Sequence, residues 1–252
     1  MNIGDISTKI CSLLKRSLGL CDHTEILPLD VERAEQIFYI EYLQPGMVAF
    51  DVGANIGEIS LLFSRFVGPA GSVHSFEASP ETFERLKAIV TLADRSNLRL
   101  NCIAVSDHVG LSTLHVYGRD HASWTTLADR PLLSYGIDLV PDRLESVNTI
   151  TIDAYCKIHD IEQIDLLKLD VEGAEYQVLL GAKHMLEQKR IKCCVFEYGA
   201  TTFDMGNTPE MIENYLAQVG YRIRNIIPEE PCFPGRESAM SAIFSIHIAE
   251  PN

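Results

Sequence analysis

The chain has 252 residues, 46% of them hydrophobic and 22% charged, which is room for one α/β domain with a full core and at most an appendage. Lys and Arg total 21 against 35 Asp and Glu, a net charge of −14, and this balance argues against a nucleic-acid partner because a duplex-binding face must be basic. No apolar run approaches the ~20 residues of a membrane span, and residues 1–5 carry an acid where a secretory signal carries basic residues, so the expectation is a cytoplasmic chain.

Seven cysteines (Cys11, Cys21, Cys102, Cys156, Cys193, Cys194 and Cys232) form no CxxC pair. An odd count without that spacing speaks against a disulfide framework and a zinc site, and all seven read as structural thiols. At the N-terminus, Ile3, Ile6, Ile10, Leu13, Leu14 and Leu18 recur at helical spacing with only Lys9, Lys15 and Arg16 between them, few bases for a lipid-surface helix. This predicts a helical extension over residues 1–30, packed on protein, ahead of one domain over residues 31–252. A second helix is expected after Asp30, with Val31, Ala34, Ile37, Phe38 and Tyr42 on its apolar face, stopped by Pro45-Gly46.

From there strands and helices alternate. Strands are expected at 47–52, 72–76, 98–105, 164–169 and 191–196, and helices at 56–66, 80–92, 174–186 and 209–219. Residues 111–117 read as an extra strand and 120–147 as an irregular insertion. Two last strands, 221–226 and 242–248, have no helix between them and suggest an antiparallel hairpin. Alternating βαβ units with apolar strands imply a mostly parallel seven-stranded sheet covered on both faces. Ligands then bind beyond the C-terminal strand tips, at Asp51, Glu77, Asp107, Asp170 and Glu197.

The most informative tip is Asp51-Val52-Gly53-Ala54-Asn55-Ile56-Gly57. Gly53 and Gly57 permit a tight strand-to-helix turn and a close approach to a ligand. In dinucleotide folds a glycine-rich turn aims a helix N-terminus at a pyrophosphate. Here an acid stands where the first glycine would be; it repels a pyrophosphate and suits a cationic amine. The next tip, Phe76-Glu77-Ala78, places a carboxylate 26 residues after Asp51, where a ribose diol is held. Together they read as a site for S-adenosylmethionine (SAM) rather than NAD.

A second block, Ile164-Asp165-Leu166-Leu167-Lys168-Leu169-Asp170-Val171-Glu172-Gly173-Ala174-Glu175, interrupts an apolar strand with a lysine and ends it in acids. Such local conflicts mark functional sites. Asp170, Lys168 and Glu172 are the catalytic candidates, whereas Glu175 reads as part of a solvated helix start. Asp170 and Glu197 should open on one rim, where carboxylates serve as a general base for a hydroxyl or as oxygen ligands for Mg²⁺. A hydroxyl is a poor nucleophile at neutral pH, so its methylation needs a base, a metal, or both. His74 inside a strand reads as a core histidine; His108, His115 and His121 flank the insertion.

The ordered set of Gln44-Pro45-Gly46, Asp51 to Gly57, Phe76-Glu77 with Pro80, Ala104-Val105-Ser106-Asp107 and Ile164 to Glu175 resembles the FkbM-type methyltransferase family. The likeness spans residues 31–195. It departs at Glu58, where an aromatic is usual, and in the helix after Pro80, which lacks the customary asparagines. The resemblance implies a Rossmann-like class I fold and methyl transfer from SAM to a hydroxyl, often of a sugar or polyketide-type natural product. It implies SAM contacts from Asp51, Gly53, Asn55, Gly57 and Glu77, with Ala54 and Ala78 beside them. Ser106 and Asp107 would approach the adenine, and Ser123-Trp124-Thr125 would supply a further contact. Catechol-type and TylF-type O-methyltransferases hold Mg²⁺ on strand-tip carboxylates comparable to Asp170 and Glu197, an analogy at fold level.

The expected function is thus a SAM-dependent O-methyltransferase acting on a small molecule, a sugar or glycan, or a natural product. The alternatives are an N-methyltransferase on the same fold, a NAD-binding oxidoreductase and a non-catalytic SAM-binding scaffold. The acceptor, metal dependence and assembly as a homo-oligomer stay open.

Overall fold

The computed structural model describes residues 28–252; the amphipathic stretch from Ile3 to Leu18 lies outside the described residues, as do Cys11 and Cys21. The first helix, α1 (Pro28–Tyr42), buries Val31 and Tyr39, with Leu43 just past its end. Of the expected apolar face, Val31, Ala34, Phe38 and Tyr42 pack in the core, and Ile37 alone departs, at 55% exposed. Tyr39 stands edge-on to Phe63 with ring centroids 4.8 Å apart.

β1 (Val48–Val52), β2 (Ser72–Glu77) and β3 (Leu98–Cys102) are joined by α2 (Glu58–Val67) and α3 (Pro80–Ala93). Pro80 opens α3 and the Ser79 hydroxyl caps it by accepting from Thr82 N, the arrangement that favours a helix start. After the insertion, α4 (Ile152–Ile158) leads to β7 (Ile164–Leu169). The stretch read as one helix over 174–186 is two, α5 (Glu175–Gly181) and α6 (Lys183–Glu187), broken at Ala182. β8 (Ile191–Tyr198), α7 (Ala200–Asp204), α8 (Pro209–Gln218), β9 (Tyr221–Asn225) and β10 (Ser245–Pro251) complete the chain.

The seven-stranded sheet has the order β3-β2-β1-β7-β8-β10-β9. β1, β2, β3, β7 and β8 are parallel, while β10 inserts antiparallel between β8 and β9. The last two strands thus form the expected antiparallel pair, with the second of them interior to the sheet. One face packs Ala49, Val73, Leu166 and Val195 against Val31, Tyr39, Phe63 and Val67 of α1 and α2. The other packs Phe50, Leu167, Cys194 and Phe196 against helices α4, α5, α6 and α8. Burial on both faces is why these strands read as unbroken apolar runs.

The insertion is more regular than its sequence suggests. β4 (Ala104–Val105), β5 (Gly110–Val116) and β6 (Arg143–Ile150) form a three-stranded sheet of order β4-β6-β5. Its inner side, with Leu114, Val116 and Val147, covers Ala78 at the tip of β2. The expectation of irregular structure over 120–147 fails at β6, where the buried Val147 and Thr149 alternate with the exposed Leu144, Ser146 and Asn148 because only one side of this sheet is covered. Cys156, Cys193 and Cys194 are buried free thiols, whereas Cys102 is exposed at the end of β3. Among the described residues no helix is long and apolar enough to cross a membrane.

Candidate active site

Parallel register builds the centre of the site. Asp51 pairs with Ser75 on one side and with Lys168 on the other, so all three project to the α1/α2 face in one row. Asp51 is fully buried and accepts from the Ser60 hydroxyl at 2.5 Å, which in turn receives the Ser75 hydroxyl at 2.8 Å. Lys168 Nζ lies 3.2 Å from Asp51 Oδ1 and 3.1 Å from Asp170 Oδ2. The first contact is an ion pair without hydrogen-bond geometry, and it leaves Asp51 Oδ1 without a hydrogen-bond donor among the described residues. Burial works to lower the Lys168 pKa, yet Asp170 and Asp51 hold it above the ordinary lysine value.

Above this ion triad sits the loop between β1 and α2. Gly53, Asn55 and Gly57 all have positive φ, at 82°, 48° and 92°. Gly53 is obligatory, because a Cβ there would fall 1.7 Å from the Asp170 carbonyl oxygen. That contact seats the loop against the tip of β7. Glu77 fixes the loop from the other side: Oε2 accepts from Asn55 N and Oε1 from Ser79 N, each at 2.9 Å. Burial raises its pKa to about 7 despite both donors. A cavity of about 210 Å³ opens beside Ser79, lined also by Thr82, Arg85, Tyr117 and Thr125.

At the β7 tip the Asp170 side chain retains 36% exposure. Glu172 has φ 53°, and its carbonyl accepts from the Thr126 hydroxyl at 2.7 Å. Its pKa is raised to about 8 by burial and by Asp170. Glu175, expected in solvent, is 2% exposed and accepts from Val171 N and Gly173 N through Oε1. It closes the turn internally because those two amides would otherwise be orphaned. Glu197 lies on the same face as Lys168, and burial followed by Asp170 and Glu172 drives its pKa well upward.

Sequence reasoning missed four contributors, Glu35, Arg130, Tyr135 and Asp204. Glu35 on α1 accepts from the Tyr39 hydroxyl at 2.6 Å and interacts electrostatically with Lys168, Asp170 and Asp51. In the insertion Arg130 Nε donates to the fully buried Asp204 at 2.8 Å, with Nη1 3.9 Å from Glu172. The Tyr135 hydroxyl donates to the other Asp204 oxygen at 2.8 Å. These contacts tie the insertion to α7 and to the turn after β7. Of the expected adenine neighbours, Ser106 is buried and Asp107 is exposed, paired with His108 at 2.8 Å. Thr125 reaches the cavity beside Ser79, while Trp124 lies 5.1 Å beneath the Arg130 guanidinium. His74 is the core histidine expected, its Nδ1 2.8 Å from the Tyr155 hydroxyl.

Mg²⁺ held by Asp170 and Glu197 is not supported. Among the described residues no three His, Cys, Asp or Glu side chains are grouped to hold a metal ion. The Lys168 ammonium already neutralises Asp170 Oδ2 at 3.1 Å, so the donor set does not fit a divalent cation.

The sheet order, the loop at the β1 tip and the acid at the β2 tip define a SAM-dependent methyltransferase of the Rossmann-like class I. A family model described as Methyltransferase FkbM domain matches residues 51–223. The 31-O-demethyl-FK506 methyltransferase FkbM of Streptomyces tacrolimicus is 30% identical over 215 residues, covering 77% of this chain and 79% of that protein. The 2-O-methyltransferase NoeI of Sinorhizobium fredii is 29% identical over 153 residues, covering 58% of this chain and 62% of that protein. Among solved structures, Methyltransferase FkbM from Methylobacillus flagellatus is 15% identical with a TM-score of 0.47, covering 97% of this chain and 60% of that one. The chain belongs to the FkbM methyltransferase family.

Proposed function

We propose that this methyltransferase transfers a methyl group from SAM to a hydroxyl of a small molecule, a sugar or glycan, or a natural product, with Asp170 as general base. The observation that carries the reading is the position of Asp170. Its carbonyl abuts Gly53 of the cofactor loop, its Oδ2 is held by Lys168, and its side chain opens at the rim. A carboxylate there is oriented at one oxygen and, among the described residues, accepts no hydrogen bond at the other, which suits proton abstraction. The printed names of two relatives, both O-methyltransferases, agree with a hydroxyl acceptor.

When bound, SAM supplies an electrophilic methyl on a sulfonium. Glu77 suits a ribose diol, since each of its oxygens keeps a lone pair beyond the backbone donor it already accepts. Gly53 and Gly57, packed on the Asp170 carbonyl and on Leu86, supply the positive-φ turns by which the loop would present its backbone to the cofactor's amino-acid end. Asp51 and Lys168 hold loop and base in register from below. Asp170 would take the proton of the acceptor hydroxyl, whose oxygen receives the methyl group that bound SAM would supply, the carbon–sulfur electron pair being left on sulfur.

Steady-state rates and calorimetry on Asp170→Asn test this reading. The expected result is a rate loss on the order of a hundredfold or more with SAM binding nearly unchanged. Chelator should leave the wild-type rate intact. Full activity of Asp170→Asn would contradict the base assignment, and chelator-sensitive turnover restored by Mg²⁺ would contradict a metal-free mechanism.

A further inference from the structure

The turn that leads the chain away from Asp170 is held in a costly shape. Glu172 and Gly173 take φ of 53° and 104° in succession, and a non-glycine residue keeps such a backbone only where its surroundings enforce it. Two neighbours do so here. From the insertion, the buried Thr126 hydroxyl donates to the Glu172 carbonyl at 2.7 Å. From the other side, a Cβ on Gly173 would fall 2.2 Å from the Thr201 carbonyl of α7, and Asn207 Nδ2 donates to the Gly173 carbonyl at 3.1 Å. Insertion and α7 are then joined to each other. Asp204, the last residue of α7, has a side chain without exposure that accepts Arg130 Nε at Oδ2 and the Tyr135 hydroxyl at Oδ1, both at 2.8 Å. The Trp124 ring backs the guanidinium at 5.1 Å. Arg130 lies four residues after Thr126, so these contacts close a ring around the turn. Apolar packing often matches a buried ion pair in stability, and what a charged, two-donor contact adds is fixed geometry.

We propose that Arg130 and Asp204 are positioning residues for methyl transfer: their ion pair closes the insertion onto α7 around the turn after β7 and so holds Asp170 in place against the acceptor. The inference rests on Asp170 as the base. Both side chains act through the turn, by way of Thr126 on the insertion and Thr201 on α7. The loop from Gly53 to Gly57 is fixed separately, by Glu77 from the β2 side. Opening the pair therefore loosens the base and spares the cofactor, whereas a pair that served stability alone would loosen both together.

Amide hydrogen exchange, calorimetry with S-adenosylhomocysteine and methyl-transfer rates on wild type, Tyr135→Phe, Arg130→Lys and Asp204→Asn test this. Tyr135→Phe removes one of the two donors to Asp204 and keeps the ring, so it probes the closure even where Asp204→Asn fails to fold. The expected result in Tyr135→Phe is exchange faster by about fivefold at residues 124–135 and also at 171–175, the effect of one hydrogen bond. Exchange at residues 53–57 and affinity for S-adenosylhomocysteine should stay within about threefold of wild type. Trp124, the single tryptophan, should become more open to acrylamide quenching in the same variant. Arg130→Lys keeps the charge and loses the planar fork. With labelled SAM and the first hydroxyl compound that wild type labels, it should lower kcat by about tenfold and leave the KM for SAM unchanged. Faster exchange confined to 124–135, or spread equally over the sheet and the loop at 53–57, would overturn the proposal, as would an undiminished kcat in a variant whose turn has loosened. Full activity of Asp170→Asn is a separate result: it removes the base assignment and leaves the exchange data standing.

Discussion

A lysine inside a buried strand is costly unless its charge is met. Lys168 is 4% exposed and is met by Asp51 and Asp170, each within 3.2 Å. Lys168→Met should therefore destabilise the protein by about 3–5 kcal/mol, because it strands Asp51 as a buried, unpaired carboxylate. Chemical denaturation measures this, and a loss below about 1 kcal/mol would contradict the account. These residues were legible in the sequence because a lysine and two acids interrupt apolar strands. Glu35 could have been found by the same logic, since Val31, Glu35, Tyr39 and Leu43 form an i, i+4 stripe with one acid in it. Including Ile37 in the apolar face obscured that stripe. Arg130 and Asp204 carried no local signal: their pairing joins segments 74 residues apart.

Among the elements, the loop from Gly53 to Gly57 depends on a backbone that only glycine supplies at its first position. Gly53→Ala should abolish detectable SAM binding and cost about 3 kcal/mol or more, since φ is 82° and the new Cβ would overlap the Asp170 carbonyl. A dissociation constant within about threefold of wild type by calorimetry would contradict this close approach. The parallel strands were readable because burial on both faces makes them continuously apolar. β6 was not, because its outward face meets solvent and breaks the pattern. The split between α5 and α6 was equally hidden, for it occurs where Gly181 packs on the Ser106 carbonyl, a contact distant in sequence.

Over the whole molecule, burial sets the response to pH. Glu35, Glu77 and Glu175 titrate near 7 and Glu172 near 8, all raised from 4.5, while burial lowers His74 from 6.5 to about 4 and His247 to about 3. From pH 8 down to 6.5 the folded chain takes up protons on these four carboxyls and the unfolded chain does not, so stability rises as pH falls. Between 6.5 and 4.5 the two histidines protonate only in the unfolded chain and oppose the trend in part. Below 4.5 the carboxyls protonate in both states, and their contribution levels off at its full value. Thermal unfolding of ligand-free protein should accordingly show a higher midpoint at pH 6 than at pH 8; the reverse order would contradict the burial of these acids.

The central claim is methyl transfer from SAM to oxygen with Asp170 taking the proton. Its most direct test is mass spectrometry of hydroxyl-bearing acceptors, sugars and natural products among them, incubated with SAM carrying an isotopically labelled methyl group. The account predicts the label on an acceptor oxygen with wild-type protein and a loss on the order of a hundredfold with Asp170→Asn. Label on nitrogen, or undiminished transfer by Asp170→Asn, would contradict it.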